Sequence, residues 1–317
     1  MNHRRKIQLI AGTTYSISLP KDWVRKNNLK EQDDITIIEK SDRTLVLSGH
    51  IMRERELKEI TLSVEDYAHN IDQILFAVYY LGIENITLVS KKELSKEDRA
   101  KIRKALTHMV GTEIVFEDKQ KIIIKVFLDK TKVDFVQTFY RMSLIIESSM
   151  NNLMENKNLE EIRINENEVD RLYNLIVKIV SLSLLDADIL HSSKINNVSL
   201  ATSYFLISKR MENIGDNIYN LVEYMKKNKV DFKNKKDIIN IIKTELNRTT
   251  THILGRSSKS FEKIDPNKLE LLHGAMSKIY DRTVFNYLED TVRYVIDIQE
   301  EIVNILFYNE LIKKGVL

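Results

Sequence analysis

Residues 207–225 read ISKRMENIGDNIYNLVEYM. Ile207, Met211, Ile214, Ile218, Leu221 and Met225 recur at steps of three and four, the spacing of one apolar stripe on an α-helix. Beside that stripe Glu212 and Asp216 stand four apart, so they are neighbours on one helix face. The same arrangement occurs upstream, where Glu166 and Asp170 flank a stripe of Val169, Leu172, Ile176, Ile179 and Ser183, edged by Val180 and Leu184. Other stripes run through Phe135, Phe139, Met142, Ile146, Met150 and Leu153, through Ile238, Ile241, Ile242, Glu245, Thr249 and Ile253, and through Val292, Val295, Ile298, Ile302 and Ile305. With a helix near 268–288, this predicts about six helices of roughly 20 to 30 residues, arranged as two antiparallel three-helix bundles over 131–228 and 229–317.

Two adjacent carboxylates repel, which costs stability unless a cation or a basic partner lies between them. One acidic pair of this kind is ordinarily solvated surface. Two pairs flanking core stripes on successive helices favour a site instead. If those helices face each other, Glu166, Asp170, Glu212 and Asp216 form an all-oxygen set suited to hard divalent ions such as magnesium or manganese, and less exclusively to iron or zinc.

The N-terminal residues behave differently. Lys6-Ile7-Gln8-Leu9-Ile10 and Tyr15-Ser16-Ile17-Ser18-Leu19 alternate as half-buried strands do, around a turn at Gly12-Thr13-Thr14. Pro20 suits the first turn of a short helix through Lys21–Lys26, in which Trp23 is expected to be a core anchor. Ile35–Ile38 and Thr44–Leu47 form a second hairpin around Ser41-Asp42-Arg43. Residues 1–30 hold seven Lys and Arg against the single acid Asp22, whereas the whole chain nets only +3. Such a patch on a small β-rich module is the electrostatic footprint of nucleic-acid binding, or else a solvated face.

Between these regions, residues 51–130 read as a small α+β unit. Strands are expected at Lys58–Leu62, Asn85–Val89, Thr112–Phe116 and Ile122–Phe127, with helices over Asp66–Leu81, ended by Gly82, and from Leu94 to Val110. Ser95 followed three residues later by Asp98 is a capping-box-like start for the second helix. No Gly-rich phosphate loop or nucleophile elbow is present, and a spacer or dimer-packing role is expected.

Two families resemble these segments. Lys6-Ile7-Gln8, Gly12-Thr13-Thr14-Tyr15, Ser18-Leu19-Pro20-Lys21-Asp22-Trp23-Val24, Leu29-Lys30 and Asp33-Asp34-Ile35 resemble the SpoVT/AbrB swapped-hairpin domain over about residues 3–49. That resemblance implies a dimeric β barrel made by exchanged hairpins, which presents arginines to DNA. Gln32 departs from it, standing where the family usually has glycine. Glu168–Tyr173 and Lys209–Ile218 resemble the paired motifs of the PhoU family of phosphate-uptake regulators, whose fold is two tandem three-helix bundles. The family's acidic motif, Glu or Asp followed four residues later by Asp, implies a metal site at Glu166, Asp170, Glu212 and Asp216. In the second bundle Arg293 replaces the acid before Asp297, so a second cluster is not expected and Asp281 and Asp297 are weak candidates. The order of head, α+β segment and helical tail resembles an archaeal type of PhoU-related regulator.

The expected architecture is therefore mainly α and multi-domain. It comprises a 1–50 SpoVT/AbrB-like head forming a dimeric swapped-hairpin β barrel, a 51–130 α+β domain, and a 131–317 PhoU-like pair of bundles. The chain has 317 residues and no cysteine, which excludes disulfides, zinc-finger thiolates and thiol nucleophiles. No apolar run approaches the roughly 20 residues of a membrane span, and the charged N-terminus is no signal peptide, so a cytoplasmic protein without membrane insertion is expected. The histidines, His3, His50, His69, His108, His191, His252 and His273, are scattered and have no partner at metal or catalytic spacing. The Glu-x-x-His signature of di-iron enzymes is also missing, and no enzymatic activity is expected.

The function expected from sequence is a homodimeric DNA-binding transcriptional regulator of phosphate uptake. Arg4, Arg5 and Lys6 are the candidate DNA contacts, with Thr14, Lys21 and Arg25 in support. The helical tail is expected to bind a divalent or transition metal (iron, zinc, manganese or magnesium), or a transporter component or sensor protein. The competing readings are an adaptor that controls a phosphate transporter by protein contact, its head serving only to dimerise, and a metal-dependent enzyme on a carboxylate bundle.

Overall fold

The computed structural model describes residues 4–39, 45–48, 58–155, 158–195, 197–230, 235–253 and 261–315. They fall in two units, Met1–Leu57 and Lys58–Leu317.

In the first unit, β1 (Gln8–Ile10) and β2 (Thr14–Ser16) pair antiparallel. Ala11 and Gly12 both hold positive φ, 51° and 74°, and the Thr13 amide donates to the Ile10 carbonyl, which closes the turn between the paired Ile10 and Thr14. Thr14 lies in the strand, not in the turn. Helix α1 (Lys21–Lys26) follows, with Pro20 extended at the N-cap (ψ 128°), one position earlier than expected. Strands β3 (Thr36–Glu39) and β4 (Leu45–Ser48) pair antiparallel as the second hairpin, and its connecting Ser41-Asp42-Arg43 lies outside the described residues. Gln32 has φ 72°, so it occupies the left-handed conformation that glycine adopts most easily. None of the described residues here is buried. Trp23 is only half-buried, Ile7 is 69% exposed and Tyr15 74%.

The second unit begins with a four-stranded sheet in the order β5 (Glu59–Ser63), β6 (Asn85–Val89), β8 (Lys121–Val126), β7 (Thr112–Glu117). β5 and β6 are parallel and joined by α2 (Ile71–Tyr80), whereas β8 pairs antiparallel with both β6 and β7. The helix expected from Asp66 starts later, because a 3-10 turn at Glu65–Tyr67 precedes it. Helix α3 (Lys96–Thr107) starts at the expected cap, where Ser95 Oγ accepts from the Asp98 amide at 3.0 Å. Leu62, Ile86, Leu88, Ile122 and Ile124 on alternate strand positions meet Ile71, Leu75 and Ile102 of the helices in one core.

The remainder is helical: α4 (Phe135–Glu155), α5 (Leu159–Ser183), the short α6 (Ala187–Ser192), α7 (Ala201–Asn228), α8 (Lys236–Ile253), α9 (Pro266–Met276) and α10 (Arg282–Lys313). Every position of the 207–225 stripe is buried. The helix expected near 268–288 is instead split. α9 is only 11 residues long, and α10 restarts where the Asp281 carboxylate accepts from the Thr283 and Val284 amides. α4, α5 and α7 pack together, α10 lies along α7, and α8 against α4 and α10, so both sets of helices share one continuous core. Glu245, the odd residue of its stripe, is buried but fully paired, with Lys268 at 2.5 Å, Arg248 at 2.8 Å and Gln299 at 3.2 Å.

Candidate functional site

The acidic pairs sit where α5 and α7 cross. Gly215 makes that crossing close, since a Cβ there would stand 3.3 Å from Val169 Cγ1. The neighbouring Asp216 is thereby carried to the α5 carboxylates. Glu166, Asp170 and Asp216 each offer an oxygen, and these oxygens all lie within 4.8 Å of one another. Glu212, the fourth expected member, stands beside this trio with both its oxygens on Lys209 Nζ, at 2.6 and 2.7 Å. Lys209 in turn lies over the Tyr173 ring. The four carboxylates thus resolve into a group of three and an ion-paired neighbour.

The electrostatics of the trio are unfavourable as it stands. Burial, then the charges of Asp216, Glu166 and Glu212, push the Asp170 carboxyl up to about 8. Burial likewise raises Glu166, with Asp216 and Glu212 adding to it, and raises Glu212 and Asp216, on which Lys209 acts in the opposite sense. Asp170 Oδ1 is buried without a hydrogen-bond partner. A buried orphan acceptor costs about 1–3 kcal/mol, more when it is charged. A divalent cation would remove both the repulsion and the orphan, so the oxygen-rich set fits the metal that the PhoU resemblance implies.

The α+β layer covers part of this site, contrary to a role as mere spacer. α2 packs on α5. The Tyr80 hydroxyl donates to Asn174 Oδ1, and Asn174 Nδ2 donates to the Asp170 carbonyl at 2.8 Å. Lys178, 1% exposed, donates to the Tyr79 carbonyl at 2.8 Å and lies 3.8 Å from the Tyr79 ring centroid. Burial pulls its ammonium down to about 7. A cavity of about 470 Å³ opens between the layers, lined among others by Tyr80, Lys104, His108, Asp170, Tyr173 and Glu212. His108, at the C-terminal cap of α3, brings Nδ1 to 3.9 Å from Asp170 Oδ2. Burial and the charge of Lys104 lower its imidazole below the ordinary histidine range. His108 gave no signal in the sequence, because its acidic neighbours lie on another layer and far along the chain.

The acids of the second helix set are otherwise engaged. Asp281 caps α10 and accepts from the Tyr224 hydroxyl at 3.1 Å. Asp297 pairs with Arg210 at 2.9 Å. Among the described residues, neither joins a metal-like group.

In the N-terminal unit, Arg4, Arg5, Lys6, Thr14, Lys21 and Arg25 are all exposed. Arg5 Nη1 donates to the Arg4 carbonyl at 3.2 Å.

Family comparisons agree with this division. A family described as antidote-toxin recognition MazE, bacterial antitoxin, matches residues 8–52, and the PhoU domain family matches residues 139–225. No curated protein and no solved structure matches the chain. The chain carries a MazE/AbrB-type domain followed, beyond the α+β layer, by a PhoU domain, and both are regulatory families.

Proposed function

We propose that this protein is a homodimeric, DNA-binding transcriptional regulator of phosphate uptake, with a PhoU-type region that binds a divalent or transition metal. One observation carries the reading. The N-terminal module exposes its basic residues and its apolar strands alike, and none of its described residues is buried. Exposed side chains such as Ile7, Leu9, Ile10, Ile17 and Leu45 need a partner surface, since burial contributes about 25 cal/mol per Å². A second copy supplies it in the exchanged-hairpin arrangement that the family resemblance implies. Arg4, Arg5 and Lys6 would then contact DNA, with Thr14, Lys21 and Arg25 in support. Arginine grips phosphate or guanine in a bidentate way that lysine does not.

In the helical region, Glu166, Asp170 and Asp216 would hold the ion, which is iron, zinc, manganese or magnesium, and Glu212 with Lys209 would set the charge around it. The bound ion supplies the positive charge that three clustered carboxylates lack. A component of a phosphate transporter, or a sensor protein, is the natural second partner of a PhoU region.

The test is fluorescence anisotropy of the protein on DNA from its own upstream region and on scrambled DNA, beside Arg4→Ala/Arg5→Ala. Preference for its own DNA that collapses in the double variant supports the proposal. Equal and weak binding to both DNAs overturns it and favours a protein-contact adaptor whose head only dimerises.

A further inference from the structure

We infer that the groove between the end of α3 and the paired α4–α5 surface docks an acidic protein segment that also carries apolar side chains. This rests on the protein-partner part of the function proposed above, and it uses neither the DNA contacts nor the metal.

The groove encloses about 640 Å³. Arg141 and Ile145 line it from α4, Arg163, Ile164 and Arg171 from α5, and Thr107 from the last turn of α3. Its acidic wall residue is Glu168. Three guanidiniums thus share one carboxylate. The His108 imidazole in the same wall adds no charge near neutral pH, because burial and Lys104 hold it below the ordinary histidine range.

The arginines are held in place without being used up. Arg171 grips Glu168 with two N–H groups, at 2.8 and 3.0 Å, and Arg141 reaches the same carboxylate at 2.6 Å. A guanidinium has five donors, so most of theirs stay unspent among the described residues. Arg163 pairs with Glu160, which stands outside the groove wall and is 67% exposed. An exposed pair of that kind contributes little to stability, so a partner's carboxylate replaces Glu160 at small cost. Ile164 leaves 58% of its surface in water beside these charges. Arginine is enriched at protein interfaces, and the apolar surface adds affinity when it is covered.

The chemistry favours a protein over a nucleic acid. Glu168 repels a phosphodiester chain, and Ile145 and Ile164 offer it nothing. Asn165 and Asn167 also line the groove. Their side-chain nitrogens donate to Ser149 Oγ at 3.1 Å and to the Arg163 carbonyl at 2.7 Å, while neither Oδ1 accepts a hydrogen bond among the described residues. Free acceptors suit backbone N–H groups, which a peptide has and a phosphodiester backbone lacks. Arginine clusters are a recurring means of recognising acidic segments.

The chain has no cysteine, so a single one can carry a probe. Full-length Thr107→Cys, labelled with benzophenone, would be irradiated with a fluorescein-tagged peptide of repeated Leu-Glu-Glu, and Ser277→Cys, exposed and outside the groove, would serve as the control site. Anisotropy of the same peptide would be read on wild type, Arg141→Gln/Arg163→Gln, Ile164→Ser and Arg293→Gln, the last an exposed arginine of α10. The expected result is cross-linking from position 107 and not from 277. Affinity should be at least about 10-fold weaker in the double arginine variant and at least about 3-fold weaker in Ile164→Ser, with Arg293→Gln unchanged. Cross-linking from both sites alike, or an equal loss in Arg293→Gln, overturns the inference and leaves the partner reading standing. Ile164→Ser binding as wild type does reduces the contact to bare charge and overturns it too, as does no peptide binding at all. The DNA anisotropy described above, run on the same variants, keeps the readings apart: if the double variant loses DNA and keeps the peptide, the groove is a nucleic-acid surface and this inference falls. The cross-link is read on a chain whose groove arginines are intact, so it does not depend on their variants folding.

Discussion

Replacing Asp170 by asparagine should stabilise the metal-free protein at alkaline pH, although it removes a charged group from a conspicuous cluster. The native carboxyl sits at about 8 against an ordinary 3.8, so the folded state holds a proton that the unfolded state releases over that interval. Stability therefore carries no cost from Asp170 below about pH 4, loses ground as pH rises, and bears the full cost above about pH 8. About four pH decades at roughly 1.4 kcal/mol each set a ceiling near 6 kcal/mol. The side chain keeps 27% of its exposure, and water and Lys209 can relax around it, so about 2 kcal/mol is the realistic gain. For a chain of this size that is on the order of 5 °C in midpoint. The assay is thermal unfolding by circular dichroism with chelator present, for wild type and Asp170→Asn, from pH 4.5 to pH 8.5. The variant should lead at high pH, and the gap should close as pH falls. With Mn²⁺ at about 100 times its dissociation constant, wild type should gain about 2.7 kcal/mol and the variant far less. A variant less stable than wild type at pH 8.5 without metal, or a gap that ignores pH, would refute the reasoning. Either result would mean that the carboxylate is favourably paired and that the cluster needs no cation.

Lys178→Ala should cost about 3 kcal/mol, because the alkyl stem fills a buried site and the Tyr79 carbonyl would lose its donor; Lys178→Met should restore most of that, as chemical denaturation of both variants would show. Gln32→Gly should stabilise the N-terminal module by about 0.5–1 kcal/mol, because relief of the left-handed conformation outweighs the entropy of glycine; an unchanged or lower midpoint counts against strain at this turn. If Arg4 and Arg5 each neutralise a phosphate, Arg4→Ala/Arg5→Ala should reduce the slope of log affinity against log salt by about 2, and an unchanged slope would remove both from the DNA surface.

Local elements were largely legible in the residues, for a physical reason. The 3.6-residue period of Ile207, Met211, Ile214, Ile218, Leu221 and Met225 records burial of one helix face, and all six are buried. The β6 strand Asn85–Val89 and the Ser95 cap are set by neighbours in sequence, and both stand where their residues place them. The break between α9 and α10 is not legible in the residues. The apolar spacing continues past Asp281, and only the cap hydrogen bonds reveal a new helix start there.

The site divides in the same way. Sequence by itself determined that Glu166 and Asp170 share one helix face and Glu212 and Asp216 another, because four residues make about one turn. It also determined that a basic, strand-forming module precedes the helices. Only the tertiary structure decided which carboxylates meet. The close crossing at Gly215 brings Asp216 to Glu166 and Asp170, while Lys209 claims Glu212. Only the tertiary structure, too, set His108 beside Asp170, through a sheet-and-helix layer fastened to α5 by Tyr79, Tyr80 and Lys178. Periodicity along a chain encodes which face of an element is buried, and it carries no record of which distant face will be packed against it.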